Sequence, residues 1–161
     1  MDTGKQPGGA ALRSAGVDGR PVVLVLVQDT TGSLASLLLA AEIAAVRQGR
    51  LHVAHISPPR MGWAGMAGMP APTAMLAEAD QADADELRQK VGDILTLGPP
   101  VEWTFTWTRD TAKRTVTHLV SELSPAAVVL SAPRRHLVPV WPSLARWLVG
   151  RPNIDAVVVP G

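Results

Sequence analysis

Arg134, Arg135 and His136 stand side by side in the stretch "LSAPRRHLVPVWPS", residues 130–143. Guanidinium groups pair well with phosphate and carboxylate, so such a row can hold an anion through its side chains. A backbone cradle for phosphate needs glycine, which lets N–H groups approach the ligand closely. There is no glycine between Leu130 and Val149. Pro133 and Pro142 fix φ near about −65° and carry no N–H at all. The plain alternative is that these arginines form a solvated basic rim. The remaining titratable residues suggest little chemistry. His52 and His55 are three apart in a strand-like run and point to opposite faces, which argues against a shared metal. His118 is read as structural, inside a helix and without a carboxylate one turn away. No Ser-His-Asp constellation, carboxylate pair or metal-ligand spacing stands out. With no cysteine, thiolate nucleophiles and disulfides are excluded. The expected class is non-catalytic, with no metal.

These residues must be positioned by an alternation of strands and helices. "PVVLVLV" (21–27) is a continuous β-branched run, as expected of a central parallel strand. Helix is expected over 34–49, apolar around most of its circumference and so heavily buried, with Gly49 as its stop. "RLHVAHI" (50–56) is the second strand. A helix follows over 76–98, acidic in its first half, where the helix dipole favours carboxylates. "VEWTFTWT" (101–108) alternates strictly and reads as a half-buried edge strand, with Trp103 and Trp107 on its apolar face. A helix over 110–124 begins near Asp110. "PAAVVLS" (125–131) is another central strand. "SLARWLVG" (143–150) is a short helix, on an apolar stripe from Trp141 through Leu144, Ala145 and Leu148, and 154–161 is a last strand. Residues 1–20, glycine-rich and poor in large apolar groups, read as a disordered tail before a domain over 21–161. Residues 60–75, with Met61, Trp63, Met66 and Met69, read as a long mobile loop: a lid, an apolar contact surface or a disordered insert.

Alternating β and α elements imply a parallel sheet with right-handed crossovers and helices on both faces. Such sheets bind ligands beyond the carboxyl ends of the strands, where the strand order reverses. The turns at 28–33, 57–75 and 131–143 are therefore the places for a site.

Two segments are similar to the universal stress protein family: "VVLVLVQDTTGSLASLLLAAEIAAVRQGRLHVAHISPP" and "LARWLVGRPNIDAVVVP". The resemblance spans residues 21–161. It implies a five-stranded sheet of order 3-2-1-4-5 in a Rossmann-like three-layer sandwich. It also implies dimers, often through the last strand. One branch of the family binds ATP with a G-x-x-G loop, nine further residues and G-(S/T); another branch lacks the motif. Here the motif positions fall on Ser131, Arg134 and Pro142-Ser143, and only Ser143 matches. Between Arg134 and Pro142 there are seven residues. The resemblance places Asp29 where ATP-binding members contact the nucleoside and Ile56 where they contact adenine. Asp29 suits a helix N-cap equally well.

The end "DAVVVPG" makes an apolar edge strand, a liability unless it is paired. Pairing of Ala156, Val157, Val158 and Val159 with a second copy would cover it, so a homodimer is expected. Net charge is +1, so nothing global points to nucleic acid or a membrane surface. A cytoplasmic, universal-stress-like binding or regulatory protein is expected, with its nucleotide pocket degenerate and an unidentified protein partner open to it. The alternative is an ATP, ADP or AMP site built on Asp29, Ile56, Ser131, Arg134, Arg135 and Ser143. The third reading is a small enzyme acting on a phosphorylated substrate.

Overall fold

Runs of Val, Leu and Ile too short for helices become strands, and each longer apolar-periodic run folds back over them. The computed structural model describes residues 18–28, 32–57, 73–131 and 140–159. The elements are β1 (Val22–Val27), α1 (Gly32–Val46), β2 (Arg50–Ile56), α2 (Thr73–Leu95), β3 (Trp103–Thr108), α3 (Ala112–Leu123), β4 (Ala127–Ser131), α4 (Val140–Val149) and β5 (Asp155–Val159). All strand pairs are parallel, in the order β3-β2-β1-β4-β5. This is the α/β arrangement expected from the alternation.

β1 and β4 lie inside the sheet and are buried along their whole length, which is why neither shows polar alternation. Successive residues of β1 feed two cores. Val23 and Val25 join Leu37, Ala41, Leu51 and Val91 beneath α1 and α2. Leu24 and Leu26 join Val116, Leu119, Leu144 and Leu148 beneath α3 and α4. β3 is an edge strand, as its alternation predicts. Trp103 and Phe105 pack on the first core, while Thr104 and Thr106 turn to the other face. β5 forms the opposite edge.

Four local expectations need correction. α1 is not buried all round: Leu34 is 42% exposed and Val46 85%. In a three-layer fold a helix buries only the side that meets the sheet, whatever its composition. The left-handed residue that ends α1 is Gln48, at φ 51, rather than Gly49. Gln48 N–H donates to Ala45 and Gly49 N–H to Ala44, the two bonds of a Schellman motif, so Gly49 lies one residue beyond the turn. α2 begins at Thr73, so 73–75 form its first turn instead of ending the loop; residues 58–72 lie outside the described residues. α4 begins at Val140, so Pro142 and Ser143 sit in its first turn. For α3 the cap is Thr111, whose hydroxyl accepts from Arg114 N–H, while the Asp110 carboxylate accepts from Thr111 N–H.

Residues 1–17 also lie outside the described residues. Asp18–Arg20 are held at the amino ends of the strands, Arg20 by Asp18 and Glu102, and Asp18 by Arg50.

Candidate functional site

The strand order reverses between β1 and β4, so the crevice to inspect lies beyond Val27, Ile56 and Ser131. Val27 is in register with His55 and Leu26 with Leu130. Ile56 and Ser131 therefore flank the end of β1, two strand spacings or roughly 10 Å apart. Both are nearly covered: Ile56 is 7% exposed and packs into the second core, and Ser131 is 6% exposed beside β5. A serine at the last position of β4 and an isoleucine at the last of β2 are the two expected contacts that the fold brings to one edge.

The turn after β1 is closed by Ser33. Its hydroxyl accepts the Gln28 N–H (3.1 Å) and donates to the Gln28 carbonyl (2.7 Å), so a buried serine staples the strand end to the first turn of α1. Asp29, between them, lies outside the described residues. So do Arg134, Arg135 and His136. Ser143 is placed on the first turn of α4, without a described side chain. Pro142 beside it removes one of the N–H groups that a helix N-terminus offers an anion.

A second concavity lies on the other side of the sheet, between α1 and α2. Its volume is about 380 Å³, and Val27, Leu37, Leu87 and Ile94 line it with His55 and Lys90. A polar chain orients His55. The Trp107 indole N–H donates to Ser57 Oγ (2.9 Å), which lies 3.4 Å from His55 Nδ1. An indole can only donate, so Ser57 turns its own proton to Nδ1 and the neutral imidazole carries its proton on Nε2. Arg109 stacks over Trp107 at 5.0 Å and pairs with Asp80 and Asp83, tying α2 to the end of β3. Lys90 pairs with Glu86 one turn away and holds that carboxyl below its usual value. Sequence reading missed this concavity. Its one local signal is a histidine at a first-core position of β2.

The histidines separate as expected: His55 belongs to the first face and His52 to the second. His52 Nδ1 lies 2.7 Å from Thr104 Oγ1 and its Nε2 lies 3.0 Å from Thr106 Oγ1. Burial pushes its pKa down, against a smaller upward pull from Glu122. His118 needs correction. Glu122 does lie one turn on, 3.4 Å from His118 Nδ1, and His118 is exposed rather than part of the core. A carboxylate at i+4 on a solvent-facing helix side meets its partner automatically. Among the described residues, no cluster of three His, Asp or Glu is placed to hold a metal ion. No helix among them is long and apolar enough to cross a membrane.

Solved structures share this architecture. The universal stress protein UspA from Lactobacillus plantarum is 20% identical, with a TM-score of 0.57 over 87% of this chain and 97% of that one. The universal stress protein from Archaeoglobus fulgidus in complex with dAMP is 17% identical, with a TM-score of 0.56 over 87% and 97%. A universal stress protein in complex with cAMP is 15% identical, with a TM-score of 0.58 over 88% and 97%. No protein-family model and no curated protein matches the chain. At these identities the shared feature is the fold: the chain has the universal stress protein architecture along nearly its whole length.

Proposed function

We propose that this chain is a universal-stress-like binding or regulatory protein, non-catalytic and homodimeric, that does not hold ATP on a glycine loop. The observation that carries this reading is the connection from β4 to α4. It leaves the sheet at the topological switch point, contains no glycine, and enters α4 with a proline in the first turn. Two arginines and a proline then stand where backbone donors would have to approach a triphosphate. Titration calorimetry with ATP, ADP and AMP tests it. The expected result is no heat of binding up to about 1 mM, equivalent to less than about 4 kcal/mol. Micromolar binding that disappears in Arg134→Ala would overturn it.

That outcome would establish the second reading, in which Arg134 and Arg135 replace the glycine contacts while Asp29, Ile56, Ser131 and Ser143 keep their places. Complexes of two like-folded proteins with dAMP and cAMP favour keeping it in view.

The dimer reading rests on β5. Asp155 N–H donates to Ala126 on the β4 side. Residues 155, 157 and 159 thus face β4, and the backbone groups of Ala156 and Val158 face outwards. Val158 is 49% exposed. An apolar edge with open donors is a pairing surface. Val158→Pro deletes an outward N–H and leaves the β4 ladder intact. Sedimentation at about 10 µM, a range where specific dimers persist, is expected to show a dimer for the parent chain and a monomer for Val158→Pro. A monomeric parent would refute the reading.

A further inference from the structure

The concavity between α1 and α2 has the makings of a binding site separate from the crevice at the strand-order reversal. It opens on the face of the sheet opposite the Ile56 side chain, so its occupancy is independent of whether a nucleotide binds. Its volume, about 380 Å³, falls in the range of small-molecule sites. Cores of this kind are otherwise close-packed, so an apolar hollow of this size forfeits contacts that an occupant would restore.

Its polar inventory is short, which narrows the ligand. The Ser33 hydroxyl is committed to the Gln28 backbone in both directions. His55, only 2% exposed, has its tautomer set by Trp107 and Ser57 and presents an N–H at Nε2. Lys90 is the one cation of the lining, and no carboxylate lines the cavity among the described residues. Its ion pair with Glu86 is largely exposed, so exchange for another carboxylate costs little. Leu37, Leu87, Val91 and Ile94 supply the apolar walls.

The geometry points to a ligand with an apolar body and one anionic end: a medium-chain monocarboxylate, its tail between α1 and α2 and its carboxylate at Lys90. A cationic amphiphile would meet the wrong charge, and a short carboxylate would leave the walls uncovered.

The full chain is titrated calorimetrically with decanoate, with acetate and decyltrimethylammonium as comparators. Decanoate is expected to bind one to one, at least about tenfold more tightly than either comparator, a difference of about 1.4 kcal/mol. Lys90→Glu, a surface change that leaves the packing intact, should weaken decanoate by about tenfold or more. Leu87→Trp, which puts an indole into the cavity, should abolish binding, with circular dichroism confirming the fold. No decanoate binding up to about 1 mM, equal binding of decanoate and the cationic amphiphile, or decanoate affinity unchanged in Lys90→Glu would each overturn the assignment.

Discussion

Gly49→Ala is expected to destabilise the protein by about 1–3 kcal/mol, the cost of forcing an extra methyl into a packed site. A Cβ on Gly49 would run into the Pro21 carbonyl oxygen and crowd its ring. That oxygen accepts the Arg50 N–H at 2.9 Å, the contact at which β2 joins β1. The added methyl therefore either breaks the first rung between two central strands or displaces Pro21, and both act on the middle of the sheet. Gly150 is the control. A Cβ there meets only the Trp147 and Arg146 carbonyls at 3.6 and 3.7 Å, ordinary contacts. Gly150→Ala should change stability by less than about 0.5 kcal/mol. Urea denaturation separates the two, since a lower midpoint with an unchanged slope reports stability alone. Equal midpoints for both variants would remove the close-approach explanation for Gly49.

His52→Ala is expected to cost about 2–4 kcal/mol at pH 8, from the hollow left by a buried ring that bridges two threonines. The same residue makes stability depend on pH. Burial holds His52 below its ordinary pKa of 6.5 in the folded chain, outweighing the Glu122 carboxylate. The unfolded chain thus takes up the proton first. His52 contributes fully above about pH 6.5, its contribution falls as pH drops through that value, and the loss levels off below the folded pKa. Urea midpoints from pH 8 to pH 5 should fall more steeply for the parent than for His52→Gln, which cannot titrate. Parallel curves would show that His52 is not the source. The ring's two threonine partners can accept or donate, so both protonation states keep hydrogen bonds and desolvation alone sets the direction.

The glycine prediction and the histidine prediction differ in how visible they were beforehand. Gly49 is conspicuous after a helix-like run, and reading it as a helix stop follows from local rules. The structure gives it another task, because the oxygen it must avoid belongs to Pro21, on a different strand. His52 and His55 could be assigned to opposite faces from strand periodicity. That one lies between Thr104 and Thr106, and the other at the end of a chain from Trp107 and Ser57, depends on β3 lying beside β2 in register. Likewise, apolar residues all round α1 do not reveal which side the sheet covers, so Leu34 and Val46 are exposed against expectation.

The crevice divides the same way. The missing glycines and the prolines between β4 and α4 were plain in the sequence, because N–H donors and φ freedom are properties of residue type. Where α4 starts was not, since helix ends are decided by capping and packing. Ile56 and Ser131 were assigned by resemblance, and the strand order brings them to the same edge of the sheet. The hollow between α1 and α2 had no signature in either helix alone.

By itself the sequence determined the alternation of elements, the parallel sheet with two edge strands, and the absence of a glycine cradle after β4. Each of these follows from hydrophobic periodicity or from the backbone chemistry of single residues. Only the tertiary structure decided what Gly49 must clear, which partners hold His52 and His55, and that α1 and α2 leave an apolar hollow with Lys90 at its lining. Those are relations between residues far apart in the chain, and they exist only once the strands are in register and the helices rest on the sheet.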